Sequence, residues 1–171
     1  DGTFFWARSM NFLEEKVLHF DVSDDSYILW LNNDVVVYED SLTLALENIQ
    51  TKPRSVIVGA TEWNSELTYS GHRRYGSHPL HLAKVQPNGT LQELDSLNGN
   101  FVLMKTSTAI KIGGINGNFS HALADIEYGI RANRAGVNLY LAPRFIGVCR
   151  GNDPVVRGST WRAWCEFTGL K

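Results

Sequence analysis

Apolar positions along this chain alternate between two spacings. Trp6, Met10, Leu13, Val17 and Phe20 recur at three- and four-residue steps, which predicts one face of an amphipathic helix from about residue 6 to 19. A polar, acidic connection over residues 21–26 follows. Tyr27-Ile28-Leu29-Trp30-Leu31 is then a continuous apolar run that stops abruptly at Asn32-Asn33-Asp34. A short β-rich run bounded by polar residues predicts a buried strand. Glu39-Asp40-Ser41 supplies helix-start residues, and Leu42, Ala45, Leu46 and Ile49 stripe the helix they open. Lys52-Pro53-Arg54 stops it. Ser55 to Thr61, with Val56-Ile57-Val58-Gly59-Ala60 inside, predicts a second buried strand.

The middle of the chain changes character. Thr68 to Gly76 is polar, aromatic and glycine-bearing. His81 to Val85, Pro87-Asn88-Gly89 and Thr90 to Leu94 together predict a hairpin around an Asn-Gly turn. Asn98-Gly99-Asn100 precedes Phe101-Val102-Leu103-Met104, another buried strand. Thr106 to Ile112 predicts a short helix closed by Gly113-Gly114. Leu123, Ile126 and Ile130 stripe a further helix that Gly136 ends. Residues 138–143 form a strand, Phe145 to Cys149 form another, and Trp161 to Phe167 begin a last helix. Alternating helices and strands predict an α/β fold in which a mixed, mostly parallel sheet is flanked by helices. No repeat, low-complexity segment or linker divides residues 1–171, so the whole is expected to form one domain.

Composition narrows the classes without naming a chemistry. The 171 residues are 43% hydrophobic and 20% charged, and the formal net charge is -2. Nothing there suggests a nucleic-acid footprint or a polybasic membrane patch. No apolar run is long enough to span a bilayer, and no signal-peptide pattern is present. Cys149 and Cys165 make neither a disulfide framework nor a zinc site, so a reducing, cytoplasmic setting is the expectation. Asn88-Gly89-Thr90 and Asn118-Phe119-Ser120 match the glycosylation triplet, a pattern short enough to recur by chance. The chain opens on Asp1 rather than Met, which suggests a fragment whose natural start lies upstream.

Two acidic stretches could carry chemistry. In an open α/β sheet, ligands sit outside the carboxyl ends of the strands. Asp34, directly after an apolar strand, stands where a hard divalent cation would take one or two carboxylates plus phosphate oxygens. The same residues also read as an ordinary polar turn. In the second stretch, residues 116–127, Asp125 lies in or near a first helical turn, where the helix dipole stabilises a carboxylate. Such a group can serve as a general base toward a hydroxyl within reach, or can simply cap the helix. His121 could line a site or be a loop histidine satisfied by backbone. Glu127 reads as a solvated or structural helix residue.

Taken together, these stretches resemble a family 2 glycosyltransferase of the GT-A fold, with some similarity to rhamnosyltransferase-like members. Leu31-Asn32-Asn33-Asp34-Val35-Val36-Val37 resembles the family's metal-binding strand end. Asn98-Gly99-Asn100-Phe101-Val102-Leu103 resembles the strand beneath the acceptor site. Ile112-Gly113-Gly114-Ile115-Asn116-Gly117-Asn118-Phe119 resembles its Gly-Gly-Phe-Asp-Glu-x-Phe segment, and residues 125–136 resemble its Glu-Asp-x-Asp-x-x-x-Arg-Ala-x-x-Ala-Gly helix. The pieces occur in the family's order at compatible spacing over roughly residues 1–150.

The resemblance implies a Rossmann-like nucleotide-sugar transferase domain and a role for each matching residue. Asp34 would coordinate Mn²⁺ or Mg²⁺ on the donor diphosphate, with Asn32 and Asn33 beside the ribose and metal. Asp125 would deprotonate the acceptor hydroxyl for an in-line displacement with inversion. Gly99 and Asn100 would border the sugar. Trp63, Tyr69 and Tyr75 would offer apolar faces to sugar rings, unless they are simply partly buried aromatics. Here Ala124-Asp125 stands in place of the family's acidic pair, and Asn32-Asn33 in place of a leading Asp. Cys149-Arg150 occupies the neighbourhood where some GT-A enzymes place a third metal ligand, and Arg150 could contact phosphate instead. The implied partners are a nucleotide-diphosphate sugar and a glycan or lipid-linked acceptor, the latter consistent with peripheral association at the inner face of a cytoplasmic membrane.

Family members begin with nucleotide-binding strands upstream of the helix that opens this chain, and continue past Trp161-Arg162-Ala163-Trp164. The expectation is therefore a partial domain, poorly active by itself. Two other classes stay open. A carbohydrate-binding module would use the aromatic residues as stacking platforms. A sugar-phosphate nucleotidyltransferase-like domain would use a related sheet and a metal.

Overall fold

The computed structural model describes residues 6–19, 23, 25–77, 81–119 and 123–151. The predicted helix over Trp161 to Phe167, together with Phe20 and His121, lies outside the described residues. The elements in chain order are α1 (Trp6–His19), β1 (Tyr27–Leu31), β2 (Val36–Val37), α2 (Ser41–Thr51), β3 (Ser55–Trp63), β4 (Glu66–Tyr69), β5 (His72–Arg74), β6 (Leu82–Lys84), β7 (Gln92–Leu94), β8 (Phe101–Lys105), α3 (Thr106–Ile112), α4 (Ala124–Arg134) and β9 (Asn138–Val148). The chain is thus an α/β protein with a mixed sheet between helices. None of the described helices is long and apolar enough to cross a membrane.

Seven strands form the main sheet in the order β1-β8-β3-β9-β2, with β4 also pairing β3 and β7 also pairing β9. The expectation of a mostly parallel sheet is corrected here. Among these pairings only β3 with β9 is parallel; β1 with β8, β8 with β3, β9 with β2, β3 with β4 and β9 with β7 are antiparallel. The reason is one insertion. β1, β3 and β9 do run in the same direction, as helix–strand alternation implies, but β8 threads between β1 and β3 in the opposite sense. Alternation sets strand direction; it does not say which later strand slips between two earlier ones.

The central strands are apolar on both faces because both faces are covered. Val56, Val58, Val102, Met104, Leu139 and Leu141 pack on one side with Ala7 of α1, Ala109 of α3 and Tyr128 of α4. Ile57, Phe101, Leu103, Tyr140 and Ala142 pack on the other with Ala45 and Ile49 of α2. The period of two along β3, β8 and β9 assigns successive residues to opposite layers.

Helix faces differ from the predicted stripes. In α1, Ala7 and Glu14 are buried, whereas Leu13 and Val17 are 55% and 37% exposed. In α2, Leu42 is exposed while Ala45 and Ile49 are buried. In α4 the buried face is Ala124, Tyr128, Gly129 and Ala132 rather than Leu123, Ile126 and Ile130. Small residues let this helix lie close to the sheet, with the bulk supplied by Tyr128. Its ring meets that of Trp30 edge-on at 4.6 Å, and its hydroxyl donates to Met104 Sδ at 3.2 Å. A stripe of large apolar residues is therefore a poor guide where a helix packs through alanine and glycine.

The predicted Asn88-Gly89 hairpin is also corrected. Its first arm, β6, pairs with β5, and its second, β7, pairs with β9. The turn itself exists: Asn88 Oδ1 accepts from the Thr90 amide at 3.2 Å, and the Gly89 amide donates to the Pro143 carbonyl at 2.9 Å. It redirects the chain from a small two-stranded sheet onto the main one, because Leu94 gains a buried place there. The two strands predicted for residues 138–143 and 145–149 are one, β9, with a register irregularity alongside Val58 and Ala60.

A Cβ built on Gly129 would stand 2.7 Å from the Leu97 amide nitrogen and 2.8 Å from Ser96 Cα, both backbone atoms that have little room to yield. Gly129→Ala gains about 1 kcal/mol of helix propensity, but overpacking costs about 1–3 kcal/mol. The expected outcome is net destabilisation: a lower urea midpoint with an unchanged slope. A midpoint at or above that of the unaltered chain would mean that α4 does not press on this backbone.

Candidate functional site

Residues just beyond the carboxyl end of β1, just before β8 and at the start of α4 line a cavity of about 430 Å³, together with Trp6 of α1 and residues of β4, β5 and β6. Its lining includes Asn32, Asp34, Tyr69, Gly99, Asn100 and Asp125, all singled out from the sequence. The two acidic stretches, far apart in the chain, therefore face one crevice.

One wall is held by a line of side-chain amides. Trp6 Nε1 donates to Asn32 Oδ1 at 2.8 Å, and Asn32 Nδ2 donates to Asn100 Oδ1 at 2.6 Å. Asn100 Nδ2 in turn points to Cys149 Sγ at 3.8 Å. The Asn32 amide nitrogen continues the β1–β8 ladder onto the Asn100 carbonyl at 3.2 Å, and the Val35 amide closes a turn onto the Asn32 carbonyl at 3.2 Å. Asn32 thus spends both ends of its side chain on structure. The turn it anchors presents Asp34, an exposed residue, at the crevice. Cys149 lies beside that carboxylate. Burial, then the negative charge of Asp34 and a hydrogen bond to it, push the thiol up to about 11, so it stays protonated at neutral pH.

The opposite wall carries Asp125. The Gly99 amide and Asn98 Nδ2 donate to its Oδ2 at 3.2 and 3.3 Å, and the Ile126 amide donates to its Oδ1 at 2.8 Å. The last bond belongs to the first turn of α4, so Asp125 serves the helix and the crevice at once. Burial pushes its carboxyl above the ordinary aspartate range, outweighing the backbone donors that favour ionisation. A Cβ at Gly99 would stand 2.4 Å from Trp6 Cζ2, so the small residue here admits an indole. The close approach expected at Gly99 is thus made by the Trp6 indole, and Gly99 also lines the crevice where the resemblance puts a sugar.

Asn33, Trp63 and Arg150 are not among the residues lining the crevice. Asn33 is exposed in the turn before β2, Trp63 is 45% exposed at the end of β3, and Arg150 is exposed beyond β9. Tyr75 lies outside it too, stacked on His81 with ring centroids 5.4 Å apart. Conversely, Trp6, Ser70, His72, Lys84 and Asn98 line it without having been singled out as site residues. Asn98 was visible in the Asn-Gly-Asn motif. His72 and Lys84 face each other in the β5–β6 register, a pairing that no local pattern announced. Burial, then the nearby Lys84 charge, push the His72 imidazole below its usual range.

No group of three or more His, Cys, Asp or Glu side chains among the described residues is placed to hold a metal ion by itself. A hard divalent cation does not need such a cage: one or two carboxylates plus substrate phosphates and water suffice for Mg²⁺. Asp34 fits that pattern, and the Cys149 thiol beside it is a soft group poorly matched to Mg²⁺.

No family model matches the chain, and no curated protein matches it either. Among solved structures, the fold is similar to that of A197 from STIV, with a TM-score of 0.53 and 15% sequence identity, over 90% of this chain and 79% of that one. At that identity the likeness speaks to fold alone.

The Asp125 environment gives a measurable sign. A carboxyl whose folded pKa is raised leaves stability intact below its unfolded value and loses it as pH rises through the folded value. Asp125→Asn, which is neutral throughout, should therefore gain on the unaltered chain between about pH 4 and pH 7. Urea midpoints of both proteins at the two pH values measure this. A gap independent of pH would contradict the burial of the charge.

Proposed function

We propose that this chain is part of a family 2 glycosyltransferase of the GT-A type, moving a sugar from a nucleotide diphosphate to an acceptor hydroxyl with inversion. The observation that carries this reading is the convergence of Asp34 and Asp125 on one crevice that Gly99 and Asn100 also line. The mixed sheet under that crevice suits a nucleotide-sugar enzyme better than the all-β sandwich expected of a carbohydrate-binding module.

In this reading Asp125 is the general base. Three hydrogen bonds fix the orientation of its carboxylate, and desolvation makes it a stronger base than a solvated aspartate. It takes the proton of the acceptor hydroxyl as that oxygen attacks the anomeric carbon from the face opposite the leaving diphosphate. Asp34 would hold Mn²⁺ or Mg²⁺ together with donor phosphates. The cation, when bound, supplies Lewis-acid stabilisation of charge on the departing diphosphate. Asn32 and Asn100 hold the end of β1 against the start of β8, and Tyr69 offers a ring to one side of the ligand. Lipid-linked or glycan acceptors, and work at a membrane face, belong to the same proposal.

Mn²⁺-induced broadening of backbone amide NMR signals tests the site directly. With a nucleoside diphosphate present, broadening should centre on Asn32 to Asp34, reach Asp125 and vanish in Asp34→Ala. Absence of localised broadening in the folded chain overturns the reading. For catalysis, Asp125→Asn should lower the transfer rate by about 100-fold or more, the usual scale of general base catalysis, while donor binding is kept. Near-normal turnover would remove Asp125 from that role.

A further inference from the structure

We propose that Lys84, on the β5–β6 hairpin over the crevice, is its phosphate-binding residue and contacts the diphosphate of the donor. The inference rests on the transferase reading and adds to it a residue that no motif in the sequence marks.

Charge within the crevice is the first argument. Among the described residues that line it, the acidic ones are Asp34 and Asp125, and the permanent cation is Lys84. His72 faces Lys84 across the hairpin and is held toward its neutral form by burial and by that ammonium. A diphosphate entering a cavity with carboxylates on two walls meets repulsion unless a cation faces it. One divalent ion at Asp34 is shared with that carboxylate and leaves phosphate charge unbalanced. An ammonium is a compact point charge with freely turning donors, suited to phosphate oxygens on a mobile ligand.

Placement is the second argument. Lys84 Nζ donates to the Thr68 carbonyl and lies 5.7 Å from the centroid of the Tyr69 ring. An ammonium carries three N–H donors, so the Thr68 bond leaves donors for a ligand. Tyr69 packs against the cluster that contains Val35 and Cys149, the residues flanking Asp34. The ammonium is therefore tied to β4, whose Tyr69 reaches that cluster, and it lines the same crevice as Asp34. The ion pairs of Lys105 with Asp25, Arg131 with Glu127 and Arg144 with Asp40, all among the described residues, do not involve Lys84. Among the described residues, then, the Lys84 ammonium stands at a crevice bearing two carboxylates with no ion-pair partner recorded.

Calorimetric titration of the whole chain with inorganic pyrophosphate in saturating Mg²⁺ tests this. Lys84→Gln should weaken binding about ten-fold or more, the loss expected for one charged hydrogen bond. Lys84→Arg should retain most of the affinity, and Lys111→Gln, a lysine outside the crevice, should retain all of it. In the unaltered protein the Lys84 side-chain NMR signals should shift during the same titration, a readout that does not depend on any variant folding. Unchanged affinity in Lys84→Gln, or unmoved Lys84 signals, with binding still abolished by Asp34→Asn, overturns the assignment of Lys84 and leaves the transferase reading standing. Failure of the unaltered chain to bind pyrophosphate, or binding indifferent to Asp34→Asn, overturns both.

Discussion

The antiparallel register of β1 on β8 is the constraint from which the site follows. Leu31 stands opposite Phe101, and one residue further the Asn32 amide donates to the Asn100 carbonyl. That register places the end of one strand against the beginning of the other. The Asn32–Asn100 side-chain bond then locks the two loops together at 2.6 Å. A slip of β1 by one residue would turn Trp30 and Ile28 away from their layer and separate Asn32 from Asn100. Core packing and site geometry are thus enforced by the same pairing, because the apolar alternation that fixes the register also positions the polar residues that follow it.

The two carboxylates of the crevice are made unlike by their surroundings. Asp34 sits on an exposed turn where water and ligand can reach it. Asp125 is drawn beneath the Asn98–Gly99 backbone, where desolvation competes with three donors. The Trp6 indole, seated against Gly99 and bonded to Asn32, closes the floor of this arrangement. It makes α1 part of the site, although the pattern of α1 marked it only as a covering helix.

Away from the crevice, a second polar clamp holds the loop that joins α3 to the rest. Arg131 donates to the Ile112, Gly113 and Gly114 carbonyls and pairs with Glu127 at 2.8 Å. Glu14 of α1 accepts from the Ile115 amide at 2.8 Å, and burial pushes its carboxyl above the usual glutamate range. The segment with Gly113 and Gly114, read from the sequence as part of a functional signature, is thus fixed from both sides by α1 and α4.

Much of this was legible in the residues themselves. The apolar runs of β1, β3 and β8 announced buried strands, and abrupt polar ends marked Asn32–Asp34 and Asn98–Asn100 as candidate site loops. Local chemistry suffices there, since an apolar run must be buried and its polar end must lie outside the core. The antiparallel insertion of β8, the parting of β6 from β7, the small-residue face of α4 and the arrival of Lys84 and His72 over the crevice were not legible. Each depends on which distant surface offers the better burial or pairing, a comparison among partners that no local pattern contains. Sequence determined which segments are buried and where polarity breaks; the tertiary structure alone decided which of those breaks face one another, because only packing sets the distance between residues remote in the chain.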